Sequence, residues 1–416
     1  MGLLQITFDT CPICDSSAKA VLLTFQNAMR FLYGKFIPVR LQKSICTTCG
    51  HIFSDLYYTF DELKNHYENT RDSSEDLIYS EKDSLDETFT NLTAWAHDLI
   101  ERSGSDLKIR NILDVGCGKC DLLRSYAHLY PDAVLCGIDF SPQARSYGDQ
   151  KGISGVVVGN FMAYDFNRKF DLISATGVLE HQVALHQFLA KIASLCQQGA
   201  LLLLEVPDSY AILNGKPNLK AKYMHDICND EHVHHFNLHN LSALLTQYGF
   251  SVLGHRTIAR GDWQALDLLC QFHEAGRLAS RSEGSRTDAA HAAAALHKSF
   301  VSKRAHYLRQ FAALMAAYDR VGIYGAGWHT SILLPSFFEM DLDRVKMIFD
   351  RDKRKVNGQL FGKTVHFPDR KRMDEVDAIL ISSINMEDSM HRFLLDMGVP
   401  SRKIIRLYEV LDEQSA

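Results

Sequence analysis

One stretch constrains this chain more than any other: Ile112-Leu-Asp-Val-Gly-Cys-Gly-Lys-Cys-Asp-Leu-Leu123. Apolar residues lead to Asp114, glycines stand at 116 and 118, and a helical pattern starts near Asp121. Glycine is needed where backbone must turn left-handed or pass directly against a ligand, so the stretch predicts buried strand, tight turn, helix. Roughly 20 residues beyond the turn a second apolar run ends in Gly137-Ile-Asp139-Phe140, placing a carboxylate where a ribose diol would lie. Further apolar runs at 156–158, 172–175 and 201–206 alternate with helical patterns. Strands alternating with helices predict an α/β fold, a parallel sheet covered on both faces.

The chain is long enough, at 416 residues, for several cores. Its 45 Lys+Arg against 50 Asp+Glu give a net charge of −5, which offers no general attraction to nucleic acid or anionic lipid. The basic run at 350–355 is interrupted by acids and reads as a solvated loop. The opening Met1–Asp9 lacks the basic flank and apolar core of a secretory leader, and Ile6 stands where a myristoylation signal needs Ser or Thr. The longest apolar run, around Leu201–Leu204, is of strand length. A cytoplasmic protein with no membrane or nucleic-acid partner is expected.

Ten cysteines, four of them in two C-x-x-C pairs, suit a reducing compartment and a metal. Cys11-Pro-Ile-Cys14 and Cys46-Thr-Thr-Cys49 are separated by residues 15–45, compatible with two knuckles around one structural Zn²⁺. Four thiolates close the coordination sphere, so such a zinc holds the fold and leaves no position for catalysis. Four segments result: a zinc-binding module at 1–70, the α/β domain at 71–275, a helical connector at 276–319 with a hinge near 279–286, and a smaller C-terminal α/β domain at 320–416. In the connector Leu296, Phe300, Leu308, Phe311 and Met315 recur at helical spacing. In the last segment Val321-Gly-Ile-Tyr-Gly-Ala-Gly-Trp-His329 is again strand, glycine turn, helix, followed by a strand ending at Asp350. Taken alone it suggests dinucleotide binding and a fused reductase, but Thr330 replaces the third glycine of that fingerprint.

The central motif, strand–Asp-Val-Gly-Cys-Gly–helix and then strand–Asp139, resembles the S-adenosylmethionine site of class I methyltransferases, whose domain is Rossmann-like. A nicotinamide fingerprint would want a glycine at Asp121. The resemblance implies a cofactor held by Asp114, Gly116, Cys117, Gly118, Asp139, Phe140, Asn160 and Phe161, with Cys120 where the family has a smaller residue. Phe170 to His181 matches the fourth strand and the helix after it.

The whole chain resembles the three-domain sugar C-methyltransferases, which methylate a nucleotide-linked 4-keto deoxysugar. That resemblance implies a zinc-binding N-terminal part, a middle S-adenosylmethionine domain and a Rossmann-like C-terminal domain over the substrate's nucleotide. Gly325–Gly327 amides would then receive the diphosphate, flanked by Trp328 or His329. It further implies a Glu-His pair as catalytic base, here Glu231-His232, with His181 as a second group to polarise the ketone. A proton beside a ketone is only modestly acidic, so carbon methylation needs a base near neutral pKa and a stabilised enolate oxygen. Asn229 and Asp230 depart from the Tyr and His that the sugar family places before the Glu. Glu-His followed by His-Phe also occurs in methyltransferases acting on oxygen or nitrogen, which is the alternative reading. A non-catalytic binding protein with a remnant pocket is a second alternative. His234, His235 and His239 read as polar surface, a transition-metal site from His225, His232, His234 and His235 is weighed without a spacing that demands it, and Tyr67 and Tyr79 are candidates to close over the cofactor.

Overall fold

The computed structural model describes residues 5–32, 34–58, 84–103, 107–208, 227–260, 263–274 and 283–413. Tyr67, Tyr79 and His225 lie outside the described residues.

Strands that are apolar throughout must be covered on both faces, and the middle of the chain satisfies this with a seven-stranded sheet. The N-terminal segment first forms β1 (Gln5–Thr7), β2 (Lys19–Thr24), the hairpin β3 (Met29–Leu32) and β4 (Lys35–Pro38), β5 (Gln42–Cys46) and β6 (Ile52–Tyr58). Helix α1 (Ser84–Arg102) leads into β7 (Asn111–Val115), α2 (Asp121–Leu129), β8 (Val134–Asp139), α3 (Gln143–Gln150), β9 (Val156–Val158), β10 (Phe170–Thr176), α4 (Leu185–Leu195) and β11 (Cys196–Pro207). The short β12 (His234–His235) leaves this domain to pair with β6, and α5 (Leu238–Thr246), β13 (Phe250–Arg260) and β14 (Trp263–Phe272) complete it.

The sheet order is β13-β14-β11-β10-β7-β8-β9. All neighbours are parallel except β14, which runs against both β11 and β13. Leu92, Ala96 and Ile100 of α1 close one face over Ile112, Leu172, Leu203 and Leu269. Phe188 and Ile192 of α4 and Leu241 and Leu245 of α5 close the other over Leu113, Ile173 and Leu204. Each buried leucine, isoleucine or phenylalanine among them contributes roughly 1.5–3 kcal/mol by leaving water.

The expected hinge is in part helical. Residues 283–286 belong to the first turn of α6 (Glu283–Met315), because the Ala-rich sequence behind them propagates the helix toward its N-terminus. Leu296, Phe300, Phe311 and Met315 are buried as their spacing predicts, whereas Tyr307 takes the buried position beside a half-buried Leu308. Beyond α6 a second sheet forms from β15 (Val321–Tyr324), β16 (Val345–Phe349), β17 (Gln359–Leu360), β18 (Lys363–His366), β19 (Ala378–Ile381) and β20 (Ile404–Arg406), in the order β17-β18-β16-β15-β19-β20.

One apolar cluster unites Leu22, Leu41 and Ile45 of the N-terminal segment, Leu296 and Phe300 of α6, and Val321 and Ile323 of the second sheet. It also takes in Ile227, Cys228 and Val233, so the segment carrying Glu231 and His232 is pinned between the first and last parts of the chain. Among the described residues no helix is long and apolar enough to cross a membrane.

Candidate functional site

The glycine turn has the form its residues demand. Gly116 and Gly118 sit at φ 75° and 47°, and Cys120 is itself left-handed at φ 62° as it opens α2. Gly116 N donates to Ile138 O at 2.8 Å, which ties the turn to β8. At the end of that strand Asp139 accepts from Gly118 N at 2.9 Å and from Ser141 N at 2.8 Å, so one carboxylate braces both chain reversals. Asp114 is 2% exposed and accepts from Ser174 Oγ at 2.7 Å; burial pushes its carboxyl up to about 7.

Of the other residues expected to hold a cofactor, Cys117 is buried, with its thiol held well above the usual range by Cys120 and by burial. Phe140 is half-buried at the end of β8. Asn160 accepts from Met162 N at 2.8 Å, closing an Asx turn. The Phe161 ring turns instead into the core, 5.2 Å from the ring of Phe188, so the structure uses it for packing.

The catalytic candidates gather beside this turn. Val178 lies directly over Gly116, where an added methyl would overlap its Cγ2. The chain then passes through a single 3₁₀ turn, Leu179–His181. His181 Nδ1 lies 3.1 Å from the carbonyl oxygen of Glu231. A carbonyl only accepts, so Nδ1 carries the proton and the lone pair of the neutral ring is on Nε2. The rings of His181 and His232 meet edge to face at 4.9 Å, with His235 5.8 Å from His232. Glu180, 3% exposed, brings a carboxylate oxygen to 3.9 Å from His181 Nε2.

Sequence reasoning expected Glu231 to orient His232. Its carboxylate accepts a hydrogen bond from Arg30, which also binds Asp230 at 2.6 Å. Trp328 Nε1 donates to the other oxygen of Asp230 at 2.7 Å. The backbone of His232 is fixed from the N-terminal segment: its carbonyl accepts from buried Lys43 and from Ser54 Oγ at 3.1 Å. Arg30, Lys43 and Glu180 were missed as site residues, and Trp328, expected to flank a diphosphate, is bonded to Asp230. Only Glu180 carried a signal, its position next to His181.

The remaining histidines divide. His239 is exposed as expected, but His234 and His235 are fully buried. His234 Nδ1 meets His51 Nε2 at 3.1 Å and its Nε2 donates to Gln182 O at 2.8 Å; burial pushes its pKa down to about 3, keeping it neutral. Those bonds commit His234 to structure and remove it from the candidate histidine metal set.

The two C-x-x-C pairs converge. Cys11 Sγ is 3.6 Å from Cys49 Sγ, Cys14 Sγ is 3.6 Å from Cys46 Sγ, and all four sulfurs lie within 4.8 Å of one another. Sulfurs on one tetrahedral zinc would be about 3.8 Å apart, so the residues fit that ion. In the second glycine turn Gly325 N donates to Phe349 O at 2.8 Å and Ala326 N donates to Asp350 Oδ2 at 2.7 Å, so two of the three amides expected to receive a diphosphate are already engaged.

Residues 88–255 match the family described as "Methyltransferase domain". The trans-aconitate 2-methyltransferases of Mycobacterium ulcerans and Mycobacterium marinum are each 26% identical over 115 residues, which is 27% of this chain. The chain spans 43% of the length of these curated relatives. Among solved structures, an S-adenosylmethionine-dependent methyltransferase from Clostridium acetobutylicum is similar over 48% of this chain and 96% of its own, with 12% identity and a TM-score of 0.36. The magnesium protoporphyrin IX methyltransferase of Synechocystis with bound SAM covers 51% of this chain and 96% of its own, at 14% identity and a TM-score of 0.38. The family match and the strand order agree: residues 88–255 match a methyltransferase domain, and with the end of β13 and β14 they build the Rossmann-like α/β sheet of the class I methyltransferase fold.

Proposed function

We propose that this chain is an S-adenosylmethionine-dependent methyltransferase that methylates the carbon beside the ketone of a nucleotide-diphosphate keto-deoxysugar. The observation that carries the reading is the contact through Val178, which sets the Glu180–His181–His232 cluster against the Gly116 turn. S-adenosylmethionine, when bound, supplies an electrophilic sulfonium methyl. Asp114, the 116–118 turn and Asp139 would hold it, since they offer buried carboxylates and left-handed backbone at the ends of β7 and β8.

The chain's own residues handle the proton. His232 removes it from the carbon, and the grip of Lys43 and Ser54 on its carbonyl fixes the backbone that carries the ring. Glu231 shapes this segment through Arg30. To polarise a ketone oxygen His181 must also be protonated at Nε2, and the Glu180 carboxylate lies 3.9 Å from that nitrogen. The four-cysteine cluster is read as a structural zinc site, and the C-terminal domain as the cover for the substrate's nucleotide.

The test is solvent deuterium exchange at the substrate carbon, using thymidine-diphosphate 4-keto-deoxysugars without cofactor. Exchange that His232→Ala abolishes, with calorimetric affinity for S-adenosylmethionine retained, is the expected result. No exchange together with methyl transfer to a hydroxyl or amine would move the enzyme to O- or N-methylation. No detectable S-adenosylmethionine binding would remove both.

A further inference from the structure

We infer that Glu180, His181 and His232 form a second metal site, distinct from the four cysteines, which takes a divalent first-row transition ion. The inference goes beyond the acceptor chemistry of the proposed reaction and does not depend on it.

One ligand atom from each of the three residues lies within 4.8 Å of the other two. Donors about 2.1 Å from a shared tetrahedral ion are ~3.4 Å apart. The Glu180–His181 pair, at 3.9 Å, is close to that spacing. The widest separation the cluster allows must close by ~1.4 Å, which side-chain rotation supplies. The supporting bonds are those a metal site needs. His181 commits Nδ1–H to the Glu231 carbonyl, which fixes its tautomer and leaves Nε2 as the ligand atom. The carbonyl of His232 is clamped by Lys43 and Ser54, which locks the backbone of the third donor. Glu180 is 3% exposed, and a carboxylate that deeply buried is stabilised by a cation.

Two imidazoles and one carboxylate select Mn²⁺, Fe²⁺, Co²⁺ or Zn²⁺ over Mg²⁺ or Ca²⁺, which prefer oxygen ligands. Three protein donors leave positions open for an acceptor oxygen. They also make the ion a competitor of the proton. A neutral imidazole has one lone pair; with that pair on a cation, His232 cannot act as a base. Metal occupancy therefore suppresses proton abstraction at this site.

The experiment uses the full chain with its four-cysteine site filled by zinc, equilibrated with Co²⁺ alone and freed of excess. Metal content is measured together with the Co²⁺ visible spectrum. One Co²⁺ beyond the zinc is expected, with ligand-field bands and no thiolate charge-transfer band. Both Glu180→Gln and His232→Asn should lose it while retaining zinc and a melting temperature near that of the parent. No Co²⁺ beyond the cysteine site in the parent, or Co²⁺ retained by both variants, overturns the inference. The two readings separate in the deuterium-exchange assay. Exchange absent without Co²⁺ counts against carbon methylation and leaves the metal count standing, whereas exchange undiminished by bound Co²⁺ overturns the claimed competition.

Discussion

Gly116 and Gly118 look alike in sequence, and the structure predicts that replacing them has unequal consequences. Both have positive φ, so alanine at either costs about 1–2 kcal/mol of backbone strain. At Gly118 that is the whole cost, because nothing lies within 4 Å of the added methyl. At Gly116 the methyl overlaps Val178 Cγ2. Valine is stiff at χ1 and cannot swing aside, so overpacking adds roughly 1–3 kcal/mol. Gly116→Ala should therefore cost about 2–5 kcal/mol in total. The same overlap displaces the turn that leads to Glu180 and His181, so turnover should fall further than cofactor affinity. A double-mutant cycle isolates the steric part. Val178→Ala should lower stability alone yet recover roughly 1–3 kcal/mol when combined with Gly116→Ala. Thermal unfolding and calorimetric titration with S-adenosylmethionine are read on all four proteins. Equal losses for the two glycine substitutions, or no recovery in the double variant, would refute the claim that Val178 transmits the position of the cofactor turn to the imidazoles.

Burial raises Asp114 to about 7, so folding favours its protonated form, and the stability this group contributes is lost as pH rises from about 4 to 7. Asp114→Asn keeps a partner for Ser174 and should make melting temperature less dependent on pH in that window. It should not abolish the dependence, because Glu205 is raised to about 8 in the same direction. Arg30→Met leaves the buried carboxylate of Asp230 without its guanidinium and should cost about 3–5 kcal/mol. Trp328→Phe removes one hydrogen bond from the same carboxylate and should cost about 1–2 kcal/mol in unfolding experiments, with kcat falling more than cofactor affinity. Cys46→Ser should lower metal content and, through the strand that carries Lys43, depress turnover; unchanged metal and turnover would separate the cysteine cluster from the active site.

Features of this molecule are legible in its sequence in proportion to how locally they are determined. The glycine turn after β7 is local: Asp114, two glycines and a helix start within ten residues obey backbone rules that no distant partner can change. The cysteine pairs are equally legible, since each knuckle is set by its own short loop. The hairpin of β13 and β14 was overlooked although Gly261-Asp262 stands between two alternating runs, a hairpin signal in its own right. Arg30 could not be found in this way. It meets Asp230 two hundred positions later, and nothing around Met29–Leu32 distinguishes it from any exposed strand arginine. The histidine run misled for a related reason. Adjacent imidazoles suggest a shared site, but in β12 neighbouring side chains face opposite ways, so His234 meets His51 while the ring of His235 lies beside that of His232.

Asn229 and Asp230, which depart from the sugar family's pattern, have a physical role of their own here. Asn229 accepts from the Glu231 backbone at 2.9 Å, and Asp230 joins Arg30 of the N-terminal hairpin to Trp328 of the C-terminal glycine turn. The segment ahead of His232 is therefore held from two sides by charge-assisted and indole hydrogen bonds, while Lys43 and Ser54 hold the carbonyl behind it. The seven-stranded sheet accounts for the glycine turn, Asp139 and His181, but on its own it supplies none of these restraints on His232. Proton transfer demands that a base stay within hydrogen-bond reach of its carbon. A domain that presented His232 on an unrestrained loop would meet that demand only part of the time. If His232 is the base as proposed, positioning it is a structural reason for the outer segments to be fused to the methyltransferase domain, and loosening Arg30 or Trp328 should then act on turnover before it acts on the cofactor.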